Sequence, residues 1–373
     1  MDNRSSGAAL RGHISSSFDR RLWAAANKNG VPASLVHAHE VLGLERGEQL
    51  AFETVMCDGN LVDMLFGQDS GFAALTNGAS SLVRISDDDG DFVVASWATA
   101  HPGVFHISGS VPTSDRRWAR VNRSISRAPD VMRCFLNEDK FRRLARKLDS
   151  IGRPEVVRMA AWRQSDASSL NRGWPVKADS FRYTPDDVFD LANLEGASVR
   201  SLTVSVESDL LCHLRRTSGA TFYSGQFRPF AANILDAFAA YAAERLDLLS
   251  NRQRAVDRPL GLPLTINLAE DVFSTAGDTE RLRRLMEDTQ LTSVAVLHEN
   301  PYLHLMIADH ADGSTFDVVV TSPVAIDIYP SFRSSASSLA RLVQRIGEHF
   351  SAETIEESLP RQRVSLEDLV GAG

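Results

Sequence analysis

Residues 292–329, TSVAVLHENPYLHLMIADHADGSTFDVVVTSPVAIDIY, decide the fold class. Short runs rich in Val, Ile and Leu alternate with polar residues and are punctuated by Asn-Pro, Asp-Gly and Ser-Pro, which is the pattern of consecutive antiparallel strands. The expected strands are Ser293–His298, Tyr302–Ala308, Thr315–Thr321 and Val324–Tyr329. A helix over Glu280–Glu287 precedes them and another over Ser335–Phe350 follows. In Tyr302–Ala308 the two-residue period puts Tyr302, His304, Met306 and Ala308 on one face. Leu303, Leu305 and Ile307 lie on the other.

A second stretch, residues 197–223 (ASVRSLTVSVESDLLCHLRRTSGATFY), has the same character. It follows a helix capped by Thr184 and Pro185 and precedes an amphipathic helix over Pro229–Leu249. The turns Ser218-Gly219-Ala220-Thr221-Phe222 and Asp312-Gly313-Ser314-Thr315-Phe316 correspond, with a shift of one residue, when the strand starts at Ala197 and Thr292 are aligned. Two readings fit: a duplicated α-β-β-β-α module, or unrelated α+β units that share turn chemistry.

Working outward, residues 184–253 and 263–350 are the two expected modules, joined through a Pro- and Arg-containing linker. Residues 165–183 are a second linker, and 16–164 an N-terminal α+β domain. Residues 1–15 are expected to be disordered and the acidic stretch 351–373 to be a mobile tail. In the N-terminal domain, helices are expected over Phe18–Asn29, Pro32–Leu42, Gly47–Phe66 and Asn137–Leu148. Strands are expected over Leu82–Ser86, Phe92–Trp97, Val104–Ser108 and Val156–Trp162. The fold class is therefore α+β, with a helical N-terminal region, short antiparallel strands and two-layer packing in the second half.

The chain has 373 residues, 43% of them apolar and 24% charged, with a net charge of −8. This is a globular composition with no global pull toward nucleic acid. Three scattered cysteines exclude a disulfide framework and a zinc ribbon. Without an apolar leader or a long apolar run, the expected compartment is the cytoplasm, with no membrane partner. Only four of the 40 cations are Lys; this is the codon usage of a high-GC bacterial genome or a selection for bidentate donors. Phosphate-loop, nucleophile-elbow, dinucleotide and zinc-protease motifs are absent, and no cofactor is expected.

Four clusters carry candidate chemistry. His37 and His39 are two apart on a helix and point to different faces, so they do not chelate. Asp87, Asp89 and Asp91 form a charged hairpin tip and lack the Glu a calcium loop requires, so no metal is assigned. Cys57 is a core thiol or, next to a base, a nucleophile. His298, His304 and Asp309 crowd one hairpin and could form an acid/base or metal set if the strands pair suitably.

The charge pattern adds one more. Residues 116–163 hold 14 cations against five carboxylates. Arg116, Arg117, Trp118, Arg120, Arg123, Arg142, Arg143, Arg146 and Lys147 are the candidates for binding nucleic acid, with phosphates on the arginines and bases on the aromatics. The opposing reading has these cations neutralise the acidic remainder of the chain. The function expected from all this is a non-catalytic binding or regulatory subunit with an unidentified protein partner in an intracellular bacterial complex. One alternative is a nucleic-acid-engaging accessory of a bacterial defence or mobile-element system. The other is an enzyme with a dispersed His/Asp site.

Overall fold

A computed structural model describes residues 13–66, 72–78, 80–88, 90–128, 130–163, 174–177, 183–194, 196–207, 209–216, 219–250, 263–268, 271–287, 292–299, 303–331, 334–350 and 352–357. The chain is α+β and divides into two compact units, Met1–Asp247 and Leu248–Gly373. Every strand pairing among the described residues is antiparallel.

The first unit opens with helices α1 (Ser17–Asn29) and α2 (Leu35–Leu42), capped by the Ser16 and Ser34 side chains. Then come β1 (Leu50–Cys57), α3 (Leu61–Phe66), β2 (Phe72–Asn77), β3 (Ser80–Ile85), β4 (Phe92–Ala98), β5 (Val104–Gly109), α4 (Arg116–Arg127), β6 (Val131–Arg133) and α5 (Glu138–Arg146). They are followed by β7 (Pro154–Arg163), β8 (Trp174–Lys177), α6 (Pro185–Leu194), β9 (Ala197–Val206), β10 (Leu210–Arg215) and β11 (Gly219–Gly225). A π-helical turn then joins α7 (Phe227–Phe230) to α8 (Asp236–Ser250). The strands form one sheet in the order β2-β3-β4-β5-β1-β11-β10-β9-β7-β8, with β6 also on β1.

Several expectations change here. The stretch 47–66 is a strand followed by a short helix, not a broken helix. LAFETVMC in β1 is buried along its whole length, so it has no alternation to betray it. The segment 184–253 keeps its helix-strand-strand-strand-helix order, yet closes no sheet of its own: β11 pairs with β1 and β9 with β7. Within 165–183, Trp174–Lys177 adds β8 to β7; the rest of that stretch, apart from Tyr183, lies outside the described residues, as do 251–262 and 1–12. Ile14, expected in a disordered end, is buried and bridges to Asp91.

The second unit contains β12 (Leu264–Leu268), α9 (Ala276–Glu287), β13 (Thr292–His298), β14 (His304–Asp309), β15 (Thr315–Ser322), β16 (Ala325–Pro330), α10 (Ala336–His349) and β17 (Ala352–Glu357). Its sheet runs β13-β14-β15-β16-β12-β17. The start of the expected mobile tail is thus a strand, held by β12 from Leu264 to Leu268. Residues 358–373 lie outside the described ones.

The strand order repeats, but not between the two expected segments. The series β1-α3-β2-β3-β4-β5-α4-β6 and β12-α9-β13-β14-β15-β16-α10-β17 have the same element order and the same neighbours in the sheet. Phe92 and Phe316 stand at the start of the return strands of matching hairpins, first in β4 and second in β15, and the turns place Gly90 and Gly313 at φ 105° and 75°. That region favours glycine. Trp118, Val121 and Ile125 on α4 match Leu339, Leu342 and Ile346 on α10, and all six are buried. Their spacing of three and four residues is the stripe each helix lays on its sheet.

Candidate interaction site

The basic stretch is folded into the first unit by its own charges. On α4, Arg116 pairs with Asp87 at 3.0 Å, and Arg117 forks onto its N-cap Asp115 through two bonds of 3.0 and 2.7 Å. Arg120 donates to the Ser86 carbonyl at 2.7 Å, and exposed Arg123 reaches the Ala119 carbonyl at 3.5 Å. The Arg116 and Arg120 contacts tie the helix to the β3–β4 hairpin. On α5, Arg142 bridges Asp186 and Asp190 of α6 at 2.7 and 2.8 Å, and Arg146 joins Asp186 at 2.9 Å. Arg143 pairs with Asp139 one turn away, Lys140 with Glu244, and Lys147 is exposed. Desolvation alone would raise the Asp186 carboxyl, but hydrogen bonds from Arg146 and Arg142 outweigh it and hold it below its ordinary range.

Trp118 requires a correction. Its side chain is fully buried, and so is that of Phe141. The ring of Trp118 packs on Gly109, where a Cβ would stand 2.8 Å from its Cζ3. Neither aromatic can stack a base. They are the apolar faces of α4 and α5, with the arginines on the opposite side.

The His/Asp set of the second unit does not assemble. His298 and His304 are cross-strand partners, and His304 Nε2 meets Asp317 Oδ1 at 3.0 Å on the half-exposed sheet face. Asp309 is five residues from His304 along β14. An odd separation sends it to the other face, where it is buried against Arg341 of α10 at 3.0 Å. Among the described residues, no group of three His, Cys, Asp or Glu could hold a metal.

The remaining clusters take structural roles. Burial pushes the Cys57, Cys134 and Cys212 thiols up to about 12, so none is a nucleophile at neutral pH. His39 stacks on Phe227 at 4.1 Å while His37 is exposed, as two residues on different helix faces should be. Asp91 is buried and paired with Arg84; Asp89 lies outside the described residues.

What composition and motifs missed is the asymmetry of the second sheet's two edges. β17 shows Glu353, Thr354 and Glu356 to solvent. Such charges discourage another strand from pairing. At the opposite edge β13 pairs with β14 and with no other described strand. Val296 is 41% exposed there, Leu297 52%, and Met306 on the adjoining strand 42%. Leu297 sits where the register between β13 and β14 slips, between Val296 and His298. The sequence signal was present in the unbroken run VAVL, but its exposure follows from β13 being an edge. No protein-family model matches the chain, and no curated protein matches it. Among the described residues no helix is long and apolar enough to cross a membrane.

Proposed function

We propose that this chain is a non-catalytic binding subunit that engages a partner protein by adding the partner's extended segment to β13. The observation that carries the reading is the contrast between the acidic edge at β17 and the apolar edge at β13. An incoming strand would lie along the outer edge of β13, pairing backbone to backbone, with Val296, Leu297 and Met306 for side-chain contact. The dispersed His/Asp residues, buried thiols and internally neutralised arginines support a binding role over a catalytic or nucleic-acid role.

The test is affinity purification of the full chain and of Leu297→Lys and Met306→Lys variants from the source cell, with and without nuclease. A partner that survives nuclease and falls at least tenfold with either variant is the expected result. Equal recovery by all three proteins would overturn the proposal. Recovery that depends on nucleic acid would also overturn it and would favour binding through Arg142, Arg143 and Arg146.

A further inference from the structure

A cleft of about 430 Å³ lies in the first unit between α3, the ends of β2–β4 and the β4–β5 turn. Its floor is one cross-strand row, in which Thr76 pairs with Ser81 and Ser81 with Ser96. All three are on the sheet face that elsewhere carries Val83, Ile85, Phe92 and Val94. Ser81 and Ser96 are 8% and 7% exposed, and neither side chain bonds to another described residue.

The repeat supplies the control. Counting rows from the hairpin turn, Ile85–Phe92 matches Ile307–Phe316 and Val83–Val94 matches Leu305–Val318. The next row sets Ser81 and Ser96 against Leu303 and Val320. Leu303 and Val320 are 1% and 5% exposed and belong to the apolar core. The framework therefore accepts aliphatic side chains at this row. Hydroxyls there give up that apolar burial and leave an open volume.

We infer that this cleft is a binding site for a neutral polyhydroxylated small molecule, of the chemistry of a mono- or disaccharide. Among the described residues no Asp, Glu, Lys or Arg lines it, and His101 is the one titratable side chain there, so an ionic ligand would find little counter-charge. The Thr76, Ser81 and Ser96 hydroxyls can each donate and accept, which suits ligand hydroxyls that do the same, while Thr99 is engaged with the His101 backbone and shapes the rim. Phe105 and His101 add ring surface for the ligand's C–H face. The volume falls in the range of about 300–1,000 Å³ typical of small-molecule sites.

The experiment titrates the full chain with glucose, galactose, mannose, maltose, cellobiose and myo-inositol, using saturation-transfer NMR and calorimetry. Saturable binding of at least one probe is expected, weakened at least tenfold by Ser96→Val and by Ser81→Leu. Both variants should melt at or above the parent's temperature, because they install the residues the second unit already packs. Ser96→Ala serves as the milder variant if either fails to fold. The inference is overturned if no neutral probe saturates, if the variants bind like the parent, or if binding is confined to anionic probes such as glucose 6-phosphate. A lower melting temperature in every variant, without binding, would make the hydroxyls structural and also overturn it. None of these readouts involves β13, so the cleft and the strand-addition surface stand or fall separately.

Discussion

Residues 50–133 and 264–357 share one strand order and differ in what they hang on it. Both fix a helix to the sheet through three matched apolar side chains, and both close the helix onto the β-hairpin with an arginine at the same position. Arg120 reaches the Ser86 carbonyl, and Arg341 reaches the Asp309 carboxylate. They part at the row farthest from that hairpin, which is hydroxyl-lined in the first and aliphatic in the second. They part again at the edge strand, where β13 exposes Val296 and Leu297. The shared positions set stability, while the positions that differ are free to set what each half binds.

The largest expected effect tests the shared positions. Trp118→Ala and Leu339→Ala remove equivalent core side chains. They should cost about 3–5 and about 2–5 kcal/mol respectively, read as denaturant midpoints by circular dichroism. A cost for Leu339→Ala of under about 1 kcal/mol would break the equivalence of the two helices.

The next effect belongs to one half only. Asp19 of α1 is buried and accepts from the Val93 amide at 2.9 Å and the Ser110 hydroxyl at 2.7 Å, docking the helix against β4 and β5. Burial raises its carboxyl to about 6 against those hydrogen bonds, which lower it. A carboxyl raised on folding favours the protonated state. Its stabilising contribution is complete below the ordinary value of 3.8 and is lost as pH rises through about 6. The parent should therefore gain on Asp19→Asn by up to about 3 kcal/mol between pH 7.5 and pH 4, measured by urea melts at both. A gap that is flat with pH would show that the carboxyl is not desolvated as its setting implies.

The hairpins of this comparison were legible in the sequence, but not their pairing, since the repeat expected there joined 184–253 to 263–350; the failures have physical causes. The hairpin β14–β15 was readable because buried and more exposed residues alternate along it, and β3–β4 because Gly90 among aspartates marks its turn. β1 was not, because both of its faces are covered and the alternation vanishes. The parity of His304 and Asp309 was itself in the sequence: five residues apart on a strand means opposite faces, so their separation needed no coordinates. Trp118 among arginines looked like a stacking platform, yet its three- and four-residue spacing to Val121 and Ile125 already marked a buried stripe. The cleft was hidden for a different reason. Ser81 and Ser96 look like ordinary strand residues until the register sets them side by side.

The smallest effect sharpens the reading of the charges. Arg143 is mostly exposed and pairs with Asp139 one helical turn away, so Arg143→Ala should cost about 0.3–0.5 kcal/mol. Arg142 binds two carboxylates of α6 from a less exposed position, and Arg142→Ala should cost more, about 1 kcal/mol. High salt should shrink the first effect more than the second, because screening acts most on exposed pairs. If both substitutions are neutral at low salt, the arginines are not holding α5 to α6. Their charge would then be available to an outside partner, and the basic stretch would regain the role that its ion pairs now argue against.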